Sequence, residues 1–291
     1  MKALPTPRKG ATKPRDIPGD ILRRLNRGEI ETATLAEGLA INFVALLGEV
    51  EPALKKQAAS CFATTPGIVR RMMMAAKLLL DHHGKTEVES LKNHSSDTVR
   101  GWASFMIGIS PNLSLRERLK RIKPLADDSH FGVREWAWLA VRPHIAADVD
   151  EAIGLLCPWT GEASANLRRF AVEATRPRGV WCAHIDAFKQ QPKKGLPLLE
   201  PLREDSTIYV QNSVSNWLND AGKSSPEFVV SLCRRWAKES TAPATLRIVK
   251  RATRSFSGLM PPPARPQPSL LKRRKPTGNK SPRHKPLGKK A

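Results

Sequence analysis

The segment Val99-Arg100-Gly101-Trp102-Ala103 returns 34 residues later as Val133-Arg134-Glu135-Trp136-Ala137, and after the same step again as Leu167-Arg168-Arg169-Phe170-Ala171. Arg142-Pro143 and Arg176-Pro177 keep that step, and a weaker copy opens at Val210-Gln211-Asn212 after a longer step of 43. A unit of this length is one supersecondary element. It is too small to bury its own apolar side, so it must stack on its neighbours to make a core. Counting from the first residue of each copy, offsets 0, 3, 4 and 7 share one helical stripe. In the second copy these are Val133, Trp136, Ala137 and Ala140, and in the third Leu167, Phe170, Ala171 and Ala174. Trp102, Trp136 and Phe170 are therefore read as core.

No stretch alternates with period two for long, and no hairpin dipeptide separates the apolar runs. Pro66, Pro111, Pro143, Pro158, Pro177 and Pro197 read as breaks between short helices. The expected fold class is all-α, an α-solenoid of HEAT-like helical repeats with disordered basic termini. The repeat domain is placed at residues 19–256, with a disordered basic tail over 1–18 and a Lys/Arg/Pro-rich one over 257–291.

Charge follows that division. The chain carries +22, of which residues 1–18 hold +4 and residues 261–291 hold +10, leaving +8 for 19–260. Such a balance favours a polyanion, most simply double-stranded DNA, with the tails tethering through counterion release. No signal peptide or membrane-length apolar run is visible. A cytoplasmic, nucleoid-associated monomer without membrane contact is expected. Cys61, Cys157, Cys182 and Cys233 form no C-x-x-C, and Cys182-x-His184 with Cys157 fits no common zinc spacing. Neither metal nor cofactor is expected. His82-His83 reads as the surface end of an apolar helix.

Offsets 2, 5 and 9 point away from the core stripe. They are Glu135, Trp138 and Arg142 in the second copy, and Arg169, Val172 and Arg176 in the third. A Trp between a carboxylate and a guanidinium on a polar stripe has two readings. A neighbouring helix or Arg142 covers it, or it lines a site in which Glu135 opposes developing positive charge and the arginines take phosphates.

Three segments resemble the bacterial DNA alkylation-repair family of HEAT-like glycosylases, the AlkC and AlkD types. They are Leu25-Asn26-Arg27-Gly28-Glu29 with Thr34-Leu35-Ala36-Glu37; RRFAVEATRPRGVW over Arg168–Trp181; and LEPLREDSTIYVQNSVSNWLND over Leu199–Asp220. The resemblance implies excision of cationic N-alkylpurines, chiefly 3-methyladenine, without metal or cofactor. A carboxylate and aromatic residues would stabilise an oxocarbenium-like state as the charged base leaves. It implies that Arg169 lies beside the lesion backbone and that Trp217 or Asn216 faces DNA. The AlkC-type helix has a Glu two residues before Ala-x-Arg-Pro; here Ala140-Val141-Arg142-Pro143 fits, and Trp138 holds that position. Glu135 lies one turn earlier on the same stripe, and Asp220 is the other acid near a matched segment. The expected catalytic residues are Glu135, Trp138 and Asp220. The expected DNA contacts are Arg142, Arg169, Arg176, Arg178, Asn216 and Trp217. Two other classes fit the residues: a catalytically silent HEAT-repeat binder of damaged or branched DNA, and a protein-interaction solenoid.

Overall fold

A computed structural model describes residues 8–84 and 88–256 of the chain. Among the described residues every regular element is helical. The first half holds α1 (Gly19–Asn26), α2 (Leu35–Ala40), α3 (Phe43–Val50), α4 (Lys55–Ala63), α5 (Ile68–His83), α6 (Val88–Leu91), α7 (Asp97–Ile109) and α8 (Leu115–Ala126). The second holds α9 (Phe131–Ala147), α10 (Val149–Leu156), α11 (Ala165–Glu173), α12 (Asp186–Gln190), α13 (Leu196–Leu199), α14 (Ile208–Gly222), α15 (Pro226–Glu239) and α16 (Pro243–Ala252). One layer stacks α5, α7, α9, α11, α14 and α16 in that order, while α8 and α15 back it from a second layer. This is the α-solenoid of HEAT-like repeats that the 34-residue period predicts.

The repeat is visible in the geometry. Asp97, Phe131 and Ala165, which open α7, α9 and α11, stand 34 residues apart, and Ile208 opens α14 after the longer step. The offset-zero residues Val99, Val133, Leu167 and Val210 are all buried, as are Ala103, Ala137, Ala171 and Val214 at offset four. Trp102 and Phe170 are core; Trp136 is only partly buried and leans on Phe105, ring centroids 6.1 Å apart. That lean explains Gly101 in α7, because a Cβ there would stand 2.6 Å from the Trp136 ring.

The arginine at offset one has a repeated structural job. Arg100 donates to the carbonyls of His94 and Ser95, Arg134 to those of Asp128 and Ser129, and Arg168 to those of Glu162 and Ala163. In each copy these lie six and five residues upstream, in the turn that feeds the helix. In the weaker copy Gln211 donates to the Asp205 carbonyl, again six residues back. The same guanidiniums reach forward to the next repeat: Arg100 to Asp128 at 2.9 Å, Arg168 to Asp205 at 2.6 Å, and Arg134 to the Tyr209 hydroxyl at 3.2 Å. Each is a staple between its own turn and the next unit.

Three expectations are corrected here. Pro143 does not end a helix; it lies inside α9, which runs on to Ala147. Offset five is not an outward position: Ser104, Trp138, Val172 and Ser215 are all buried. A helical wheel with one apolar stripe ignores the flanks, and here neighbours in the same layer cover them. Finally, residues 8–18 are not free of the body. Arg8 forms two 2.6 Å bonds to the buried Glu37 carboxylate, and Ala11 donates its N–H to the same group. A carboxylate buried at 0 % exposure needs a charged partner, and this segment supplies it. The basic segment 257–291 lies outside the described residues.

Candidate functional site

An alternating row of acids and arginines crosses α9, α11 and α14. Glu135 accepts from Arg169 at 2.6 Å, across one 34-residue step. Arg169 stands 3.7 Å from Glu173, one helical turn on. Glu173 accepts from Arg176 at 2.7 Å and from the Ser213 hydroxyl at 2.5 Å. Arg176 then bonds Asp220 at 2.7 Å. Tyr209 adds its ring at the start of α14, with the Arg169 guanidinium 4.4 Å and the Arg134 guanidinium 5.3 Å from its centre.

Glu173 is the row's centre and is 4 % exposed. Burial pushes its carboxyl up; Arg169, Arg176 and the Ser213 hydroxyl more than reverse that and hold it below the ordinary value. Burial likewise works against Arg169 and Arg176, yet the flanking carboxylates leave both raised. The row therefore keeps full charges in a low-dielectric setting, where each acts on nearby charge more strongly than it would in water.

Beside the row, residues 174–185 form an irregular loop that belongs to the longer repeat step. Arg142, 2 % exposed, reaches from α9 and donates to the carbonyls of Ala174, Arg176 and Ala183. Gly179 makes this closeness possible, since a Cβ there would lie 2.0 Å from the Cys182 sulfur. On that tied loop Trp181 has φ +63° and remains 50 % exposed, next to exposed Val180. A non-glycine residue in this region costs about 1–3 kcal/mol and persists only where its surroundings enforce it. Trp181 also lines an apolar cleft of about 560 Å³, together with Met73, Phe105, Ile109, Leu139 and Pro143.

The expected site residues divide into three groups. Glu135, Asp220, Arg169 and Arg176 come together in the row. Arg178 flanks it, donating to the Asp220 carbonyl and to Ser224, and Asn216 accepts from Arg254. Arg142 and Trp217 are structural instead. Arg142 is consumed by three carbonyls, and Trp217 is 0 % exposed with its indole N–H on the Thr175 carbonyl. Neither has a face to offer DNA. Trp138 is buried too, donating to Glu135 at 2.9 Å with Arg142 6.0 Å from its ring, so the covered reading of this Trp holds.

Glu173, Tyr209 and Trp181 were missed. The first two required knowledge of which helices adjoin. Glu173 had a signal nonetheless: Ala174-Thr175-Arg176-Pro177 repeats the Ala-x-Arg-Pro pattern of α9, with Glu173 directly before it.

The fold and this row define a HEAT-like repeat protein of the AlkC/AlkD structural type. Among solved structures, the Pseudomonas fluorescens alkylpurine DNA glycosylase AlkC, bound to DNA containing an abasic site analog, matches with TM-score 0.60 and 24 % identity over 73 % of this chain. AlkD2 from Streptococcus mutans matches with TM-score 0.53 and 22 % identity, over 69 % of this chain and 97 % of that one. In sequence, the uncharacterized protein YhaZ of Bacillus subtilis (strain 168) is 36 % identical over 135 residues, which are 46 % of this chain. The matched parts span 60 % of the AlkC chain and 36 % of YhaZ. No protein-family model matches the chain. No helix among the described residues is long and apolar enough to cross a membrane.

Proposed function

We propose that this protein is a DNA-repair glycosylase that releases cationic N-alkylated purines, 3-methyladenine-like, from duplex DNA. The observation that carries the proposal is Glu173. It is a buried carboxylate kept ionised by two arginines and a hydroxyl, with Asp220 sharing one of those arginines and Glu135 the other.

N-alkylation already makes the base a good leaving group. The remaining demand is negative charge aimed at the sugar as it becomes an oxocarbenium-like cation, and a preorganised carboxylate in a dry site supplies that. Glu173 and Asp220 supply the field. Arg169 and Arg176 fix them and face the phosphates flanking the lesion. Trp181, on its tied loop, gives the exposed aromatic face against which a nucleotide stacks. The likeness to an alkylpurine glycosylase solved on DNA supports this reading.

A second assignment within the same chemistry makes Glu135 the carboxylate nearest the sugar. It is the one acid of the row with an open side chain, 34 % exposed, and Trp138 fixes its orientation.

The test is base release from a methylated duplex, followed by chromatography of the freed purines. Release of 3-methyladenine by the wild type is expected. Binding to the same duplex with no base freed would replace the enzyme by the silent binder.

A further inference from the structure

Away from the charge row, three side chains converge where α3 ends and α5 ends. Glu51 follows α3, and His82 and His83 are the last two residues of α5. The His83 Nε2 lies 2.5 Å from one Glu51 oxygen and the His82 Nε2 lies 3.9 Å from the other. The two imidazoles meet edge to face with centroids 4.5 Å apart. One ligand atom from each of the three residues falls within 4.8 Å of the others.

We propose that Glu51, His82 and His83 bind one divalent transition-metal ion of the zinc class. The second imidazole motivates this. A carboxylate–histidine hydrogen bond explains His83, but 3.9 Å is beyond hydrogen bonding, so it does not explain why His82 turns its Nε2 toward the same carboxylate. Ligands at zinc-like bond lengths in a tetrahedral set stand about 3.3 Å apart. The close pair is shorter than that and the distant one longer, so shifts of under about 1 Å bring all three onto one ion. Two imidazoles and one carboxylate are a nitrogen-rich, borderline set that selects zinc, cobalt or nickel over magnesium and calcium. The backbones are prepared: Glu51 also accepts from the Ala53 N–H, and both histidines sit on a sixteen-residue helix. His82 is exposed and the other two are half-buried, so a fourth position opens to solvent. Bound there, the ion would pin the end of α5 to the end of α3, a structural role separate from the charge row.

The experiment uses the full chain, stripped with a chelator and dialysed, then titrated with zinc chloride. One equivalent should bind, and at about a hundred times Kd the melting temperature should rise by about 5 °C. Magnesium chloride should leave it unchanged. Cobalt(II) should give ligand-field bands without the thiolate charge-transfer band that the cysteines would produce. The double variant His82→Ala/His83→Ala should lose the zinc shift. Glu51→Gln, which keeps the side chain's shape, should weaken binding at least tenfold. Equal zinc binding by wild type and double variant, a thiolate band, or no zinc binding would overturn the site.

Discussion

Two rows of arginine run along the same helices and do different things. The row at offset one, Arg100, Arg134 and Arg168 with Gln211 in its last place, is monotonous. Each member holds backbone carbonyls of its own turn at the same two positions. The adjacent row, Glu135, Arg169, Glu173, Arg176 and Asp220, repeats nothing. Its members are held by side chains from other repeats. At the same offset as Glu135 and Arg169, α7 carries only Gly101. Repetition along a solenoid thus marks what every unit needs in order to stack. Departure from repetition, on the same helices and one residue away, marks what a single place needs.

The contrast is sharpest in substitutions that keep shape and remove charge. Glu173→Gln and Asp220→Asn should each slow base release by about 10²-fold or more, the scale of losing one electrostatic stabiliser. Glu135→Gln measures the second assignment; a larger loss there than at Glu173 moves the carboxylate to α9. In the staple row the effect should fall on stability. Arg168→Ala leaves Asp205, which is 5 % exposed, without its guanidinium, and breaking such a pair costs about 3 kcal/mol. Thermal denaturation should show it, with single-turnover release well below the transition staying within about threefold of wild type, since no transition-state contact is lost.

Acid sharpens the same distinction. The Glu173 carboxyl lies below its ordinary value in the folded protein, so its contribution is present above the unfolded value and is lost as pH falls through the folded one. Melting temperatures between neutral pH and pH about 4 should therefore fall more steeply for wild type than for Glu173→Gln. Parallel slopes would mean that the carboxylate is not held ionised. The smallest effect on the fold should come from Trp181→Ala. Removing a half-exposed ring costs about 1 kcal/mol or less of stability, while losing a stacked nucleotide weakens DNA binding about tenfold. Unchanged binding would take the loop out of the interface.

Much of the architecture was legible because a 34-residue step in apolar-Arg-x-aromatic-Ala admits few packings. The helix starts fell on that step, and the core residues at offsets zero and four followed. The site was legible only in part. Arg169, Arg176 and Asp220 emerged from segment likeness, whereas Arg142 and Trp217 were placed on DNA although they serve the interior. The reason is physical. A stripe on one helix says which way a side chain leaves the axis, not whether a neighbouring helix or loop waits there. Arg142 points into the 174–185 loop, a feature of the irregular 43-residue step that periodicity describes least. Glu173 was in view within Arg168–Trp181, but a buried acid between two arginines looks in sequence like any charged helix face.

The direct test of the two-row account compares Arg134→Ala with Arg169→Ala. Both side chains lie against the same Tyr209 ring, yet one belongs to the staples and the other to the charge row. Single-turnover release of 3-methyladenine should be measured for each, well below both melting transitions. The account predicts that Arg169→Ala slows release at least tenfold more than Arg134→Ala, whose loss appears in the melting temperature. Equal slowing by the two variants would contradict it.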